Sequence, residues 1–250
     1  MKTVEKTLDI LETFLKQEGE IGITELANLN GLNISTAYRI AFTLVTRGYL
    51  NQQQRRGKYS LSPKLLQFGS IIKKGMKIGD VAFPFLERLN KMVDESVNLA
   101  ILDTDEVTYI EHIEPSHNLR MFTRVGNRLP LHCTGMGKVF LAQMNDNDLK
   151  RYLNSKGLPY RTENTITDSS KLKEELVIIK REDIATDDGE TEPGVKCVAS
   201  PIKDSDGNVI AAISVSGPSA RLNSERIREI KLLVKSCALE ISRATGYGGE

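Results

Sequence analysis

With 250 residues the chain has room for two domains or for one domain with a large core, and 40% apolar with 27% charged residues excludes a low-complexity or disordered composition. It contains no run of 18 apolar residues and no apolar core after Met1-Lys2-Thr3-Val4-Glu5, and its three cysteines (Cys133, Cys197 and Cys237) are odd in number and widely spaced, so neither a membrane route nor a disulfide framework is expected and a cytoplasmic location is. A net charge of +1 conceals an asymmetry: Leu26 to Gly79 holds nine basic residues and no acidic one in 54 positions, while from Asp80 onward 22 basic residues face 27 acidic ones.

Val4, Leu8, Leu11 and Leu15 recur at helical spacing and Gly19 follows as a stop, predicting a first amphipathic helix. Thr24 to Leu29 reads as a short second helix ended by Gly31. A third begins at Ile34, with Ala37, Ile40, Ala41, Leu44 and Val45 facing inward and Ser35, Thr36, Arg39 and Thr43 forming an outward stripe. Two short helices, a Gly-containing turn and a third helix with small polar and Arg side chains near its start predict a helix-turn-helix. Gly48-Tyr49-Leu50 ends that helix, and the alternating stretch around Arg55-Arg56-Gly57-Lys58 predicts a hairpin with a basic tip. Such a hairpin is a wing that reaches along the phosphate backbone or into the minor groove.

On this reading Arg39 is suited to a bidentate contact with guanine. Thr36 and Thr43 reach thymine methyls or phosphates, and Arg55, Arg56 and Lys58 hold phosphate. Ser35 and Tyr38 share the outward face. After Pro63 an apolar helix is predicted, interrupted by Gly69 and Gly75, and a connector this apolar is expected to pack on a partner subunit.

From Asp80 the pattern becomes mixed. Helices are predicted at 82–94, 135–144, 146–155, 169–182 and 223–244, and strands at 96–102, 107–113 and 120–124, which together suggest an α+β domain whose sheet has one open face. Asp206-Gly207 between two apolar runs is a hairpin signal. A two-residue loop there sets Ser205 against Asn208, Cys197 against Ser216 and Ala199 against Ser214 on one face, with Val198 and Val215 on the other. Two further stretches supply polar groups. Thr134 is placed to cap a helix beginning Gly135-Met136-Gly137, whose first N–H groups form an anion site. Asp187 follows a predicted strand at the head of an acidic loop with Asp188, Glu190 and Glu192, a run that otherwise reads as solvated.

A small-molecule enzyme using Cys197 or Cys133 is an alternative reading. His132 and Cys133 are adjacent in an extended segment and so point to opposite faces, which disfavours a dyad, although His132 as a base for Cys197 stays open. His112, His117, His132 and the cysteines lack metal-ligand spacing, so no metal or cofactor is expected. An architectural DNA-binding protein without effector is a third reading.

Over nearly its full length the chain resembles the isocitrate lyase regulator (IclR) family of bacterial transcription factors. The segments that carry the resemblance are STAYRIAFTLVTRGYL with QRRGKYSLSPKLLQFG, then GNRLPLHCTGMGKVFLA, then DDGETEPGVKCVASPIKDSDGNVIAAISVSGPSAR. It implies a winged helix-turn-helix over 1–62, a linker helix over 63–79 and a GAF-like effector-binding domain over 80–250. It also implies dimers, often tetramers, on palindromic operators, with small carboxylates, 2-oxo acids, sugar acids or aromatic acids as effectors. The family's ligand contacts fall on the Gly135 and Met136 amides, Asp187, Cys197, Ser214 and Ser216. Phe42, Val45 and Thr46 stand where members often carry Gln or Glu, and Met136 where Ala is frequent.

Overall fold

The computed structural model describes the chain apart from residues 1, 18, 53–56, 76, 120, 122 and 250. It falls into two units, Met1–Met76 and Lys77–Glu250. In the first, α1 (Lys2–Lys16), α2 (Ile23–Leu29) and α3 (Ile34–Thr46) pack around Ile10, Phe14, Leu26, Ala37, Ile40 and Leu44. The inward row of α1 is therefore Ile10 and Phe14 with half-buried Leu11. Val4, Leu8 and Leu15 of the predicted stripe are exposed. Two apolar rows run along α1, and periodicity alone does not say which one meets the core. Asn33 caps α3 by accepting the Thr36 N–H at 2.8 Å.

Strands β1 (Leu50–Gln52) and β2 (Tyr59–Leu61) pair antiparallel, and Ile21 bridges to Tyr59 as a third rung, which builds the wing. Arg55 and Arg56 lie outside the described residues. Helix α4 (Leu65–Gly75) runs through Gly69 without the predicted interruption, and the Phe68 ring stacks on Tyr49 at 6.1 Å.

In the larger unit six antiparallel strands lie in the order β5-β4-β3-β8-β7-β6, from β3 (Ser96–Asp103), β4 (Glu106–Ile113), β5 (Arg128–Pro130), β6 (Ala185–Asp188), β7 (Val195–Lys203) and β8 (Val209–Pro218). Helices α5 (Lys77–Val93) and α9 (Ser224–Ala244) cover one face, through Leu86, Leu89, Val234 and Ile241 against Val97, Val198 and Val215. Helices α6 (Gly135–Gln143), α7 (Asp146–Lys156) and α8 (Ser169–Glu182) build a second core on the other, where Met136, Phe140 and Leu172 meet Ala100, Ala199 and Ala212. The face expected to be open is thus roofed.

The predicted strand at 120–124 is absent among its described residues, Met121, Thr123 and Arg124. Gly126, at φ 90°, turns the chain against Tyr109, and pairing with β4 starts only after it, at Arg128. Helix α5 begins at Lys77 rather than at 82 and accommodates Pro84. The β7–β8 register is the predicted one, with Cys197 opposite Ser216, Val198 opposite Val215 and Ala199 opposite Ser214. Its turn is longer than predicted. The Asp204 N–H donates to the Asn208 carbonyl at 2.9 Å, and the Asp204 carboxylate accepts from the amides of Asp206 and Asn208. A bulge at Ile202/Lys203 removes the one-residue offset this creates, so the register beyond it is unchanged.

Helix α6 starts hard against the sheet. Thr134 caps it, accepting the Gly137 N–H at 3.1 Å and donating to the Pro130 carbonyl at 2.9 Å. A β-carbon on Gly137 would overlap the Leu131 backbone and the Thr134 hydroxyl, whereas one on Gly135 would stand 3.2 Å from both the Ala199 β-carbon and the Cys197 sulfur. Gly137→Ala should therefore destabilise the larger unit by about 2–4 kcal/mol and Gly135→Ala by about 1 kcal/mol, as measured by urea unfolding.

Candidate nucleic-acid interface and ligand cavity

Opposite its buried row, α3 exposes Ser35, Tyr38, Arg39, Phe42, Thr43 and Thr46, with Thr36 half-buried beside them. The helix carries no carboxylate. Ser35 donates to the Asn33 side chain at 2.9 Å and Thr43 to the Arg39 carbonyl at 2.9 Å. Lys58 is exposed just before β2. An exposed polar helix face within a stretch that is cationic and acid-free from Leu26 to Gly79 is the charge pattern of a duplex reader.

Between the start of α6 and the sheet lies a narrow pocket of about 10 Å³, bordered by Gly135, Met136, Asp187, Cys197, Ser216 and Tyr109, with half-buried Met121 and Val195 and exposed Glu192 toward its outer side. That is roughly room for one water. The register explains the convergence. Cys197 faces Ser216 on β8 and Asp187 on β6, so one row of the sheet sets all three side by side under the Gly135 and Met136 amides. Thr134 takes the Gly137 amide and its carbonyl takes the Lys138 amide at 2.9 Å, so Gly135 and Met136 carry the amides that the helix itself leaves over. Five of the six predicted effector residues border the cavity. Ser214 does not: it is fully buried beneath it.

Ser214 belongs to a network that sequence reasoning missed. The Asn98 amide of β3 donates to the Ser214 hydroxyl at 3.2 Å and the Ser216 hydroxyl at 3.5 Å, and its oxygen lies 2.7 Å from His112 Nδ1. An offset in the β3–β4 ladder at Leu99/Ala100 turns both Tyr109 and His112 toward this face. A polar residue between Val97 and Leu99, within the buried run of β3, was the available signal, but using it requires knowing that β3 neighbours β8.

The second missed element is Lys138, fully buried on α6. Its ammonium is paired with Glu175 of α8 at 2.6 Å and, more closely still, with Glu190. Burial alone would lower the Lys138 pKa, but the two carboxylates hold it above the ordinary value. Glu190, expected in solvent, is 6% exposed, and one of its carboxylate oxygens has no partner. Thr162 and Thr165 pin the loop after β6 by donating to the Gly189 and Glu190 carbonyls at 2.6 and 2.7 Å, and the Glu190 N–H donates to Asp187 at 2.7 Å. Burial pushes Asp187 up to about 6 and Glu190 up to about 7, against the opposing pull of Lys138.

A much larger concavity, about 1120 Å³, lies elsewhere, between α7 and α8. It is open to solvent and its charged lining, Lys150, Lys173 and Lys180 among it, is exposed, so size does not locate the chemistry. The cysteines are poor nucleophiles. Burial pushes the Cys197 thiol up to about 11 and raises that of Cys133, while His132 Nε2 is engaged with the Pro159 carbonyl at 3.0 Å.

A winged helix-turn-helix in one chain with an α+β unit that carries a small pocket with Asp187, Cys197 and Ser216 on its sheet side defines a two-unit DNA-binding regulator. The IclR helix-turn-helix domain model matches residues 3–54, and the model for the bacterial transcriptional regulator IclR C-terminal region matches residues 72–243. The chain is 36% identical to the HTH-type transcriptional regulator KdgR of Escherichia coli K12, over 99% of this chain and 94% of that protein. It is 32% identical to the transcriptional repressor IclR of the same organism, over 100% and 91%. Among solved structures, the Thermotoga maritima IclR superimposes with a TM-score of 0.83 at 33% identity, covering 99% and 100% of the two chains. An IclR homolog from Microbacterium hydrocarbonoxydans complexed with 4-hydroxybenzoate does so with a TM-score of 0.82 at 27% identity, covering 97% and 98%. The chain belongs to the IclR family, whose members are DNA-binding transcriptional regulators and not enzymes.

Asp187 and Glu190 hold their protons more tightly folded than unfolded, so the folded state binds more protons across the intervening pH range. Their contribution to stability is complete below the ordinary carboxylate range and is lost as pH rises through about 6 and about 7 respectively. The stability of the wild type relative to Glu190→Gln should fall with rising pH up to about 7 and then level off. Urea midpoints of both proteins measured at several pH values check this.

Proposed function

We propose that this regulator is a repressor whose operator affinity is set by a small carboxylate, 2-oxo acid or sugar acid held in the α6 cavity. The observation that carries the reading is the convergence of Gly135, Met136, Asp187, Cys197 and Ser216 on one narrow pocket. An effector carboxylate lies on the Gly135 and Met136 amides, at the positive end of α6. Ser216 binds a far oxygen, and Asp187 accepts from a hydroxyl or hydrate. The Ser216 oxygen lies 3.5 Å from the Asn98 amide and its hydroxyl also meets the Cys197 sulfur, so a ligand acceptor takes the O–H in place of that sulfur. Ser214 supports Ser216 from below rather than touching the effector. The 4-hydroxybenzoate complex of a relative and the repressor among the relatives support the same assignment.

A cavity of about 10 Å³ does not admit a carboxylic acid as it stands. Binding has to part α6 and the loop around Thr191 from the sheet, so the ligand selects an opened form, and its preference for that form bounds the change in DNA affinity. A few charge-assisted bonds, less the ordering cost, give micromolar to millimolar affinity.

On the DNA side, Ser35, Thr36, Tyr38, Arg39 and Thr43 enter the major groove while Arg55, Arg56 and Lys58 of the wing hold phosphate. Residues 1–62 form the reader, 63–79 the linker and 80–250 the GAF-like sensor of a cytoplasmic protein. Among the described residues no helix is long and apolar enough to cross a membrane. Exposed Val4, Leu8, Leu15, Leu66, Ile71 and Ile72 support pairing of two copies on a palindromic operator, with tetramers forming through the sensor units.

Thermal shift of the full chain with pyruvate, gluconate and 4-hydroxybenzoate tests the effector. At least one acid should raise the melting temperature of the wild type but not of Ser216→Val, and Ser216→Val should still bind operator. No shift with any acid, or a shift that survives both Ser216→Val and Asp187→Asn, sinks the assignment. Arg39→Ala should relax sequence preference, whereas Lys58→Ala should weaken all duplexes alike and lower the salt slope by about one per monomer. Salt titrations on matched and mismatched duplexes read both.

A further inference from the structure

The outward face of α3 is unexpectedly apolar for a helix that meets DNA. Phe42 is 59% exposed and stands on the side of α3 away from the buried Ala37, Ile40, Ala41 and Leu44, in a shallow concavity it shares with Tyr38, Arg39 and the start of α1. Tyr38, one turn earlier, is 51% exposed, and the two rings stack at 6.3 Å with 23° between their planes. Thr43 and Thr46 turn their hydroxyls back onto the Arg39 and Phe42 carbonyls, each at 2.9 Å, which leaves their methyl groups as the outward offering. Arg39 is the one charged side chain within α3.

A phenyl ring has neither donor nor acceptor, so it cannot read the hydrogen-bonding edges of bases. In the major groove the single apolar feature that distinguishes one base from the others is the 5-methyl group of thymine. We propose that Phe42, held in place by Tyr38, is a base-reading residue that packs on a thymine methyl in the major groove. The inference rests on the reading of α3 as the groove-entering helix and adds a specificity that Arg39 cannot supply. Three residues of helix advance roughly 4.5 Å, between one and two base-pair steps of about 3.4 Å. The thymine therefore lies next to, or next but one from, the base pair that Arg39 contacts. The stack also restricts the Phe42 ring before binding, which reduces the ordering cost of the contact.

The test begins with selection of duplexes from a randomised pool by the full-length protein. Each thymine of the selected half-site is then replaced singly by deoxyuridine, which removes the methyl group and keeps the base pair. Binding is measured at fixed salt by fluorescence anisotropy. At one thymine per half-site the uracil duplex should bind the wild type about fourfold more weakly, the worth of roughly one buried methyl-sized group. Phe42→Ala should bind the thymine and uracil duplexes equally, and Phe42→Leu should keep the preference. The proposal is overturned if no thymine responds to the exchange in the wild type, or if Phe42→Ala keeps the wild-type ratio. It is equally overturned if sedimentation shows that Phe42→Ala changes the oligomeric state, which would place the ring between copies of the chain. Arg39→Ala, selected in parallel, separates the two layers. If neither variant alters the selected sequence, α3 is not in the groove; if only Arg39→Ala does, the Phe42 assignment alone fails.

Discussion

The larger unit is organised by the closeness with which α6 meets the sheet, and that closeness depends on two missing side chains. Gly137 leaves no space for a β-carbon against the Leu131 backbone, and one on Gly135 would press on Ala199 and Cys197 at 3.2 Å. Everything polar nearby follows from this approach. The amides at the helix start come down over the row formed by Asp187, Cys197 and Ser216, and Lys138, one residue beyond Gly137, is carried so deep that its ammonium has to find carboxylates inside the protein.

Lys138, Glu175 and Glu190 are consequently a necessity of packing before they are anything else. A buried ammonium needs counter-charge, and Glu190 and Asp187 sit close enough that they compete for the same cation. The unpartnered oxygen of Glu190 marks where this compromise is incomplete. Because Glu190 lies in the loop that also carries Thr191 at the cavity edge, the charge arrangement behind α6 and the closure in front of it are held by the same segment.

Much of this was legible in the sequence, for physical reasons that also explain what was not. The two-residue loop read at Asp206-Gly207 carried the register from Cys197 to Ser216, and alternation along the strands then set which side chains share a face. The turn itself was misjudged, since Asp204 closes a wider loop with its own carboxylate and a bulge then hides the difference. On α1 two apolar rows competed, and only the tertiary partners chose Ile10 and Phe14 over Val4 and Leu8. Lys138 was invisible for a different reason. A lysine in a helix reads as solvated unless its partners, 37 and 52 residues away, are known to be neighbours. Asn98 and His112 were lost in the same way, because the order of strands in a sheet is not written in the strands.

The cavity at the start of α6 has a consequence in time. The space that Asp187, Cys197 and Ser216 border has room for about one water. On the proposed reading, a carboxylic acid reaches those groups only when this narrow pocket widens, so widening and not diffusion through solvent limits its arrival. At high acid concentration the rate of occupation would then saturate at the rate of widening. A pocket of this kind would pass sustained changes in its surroundings and average out brief ones.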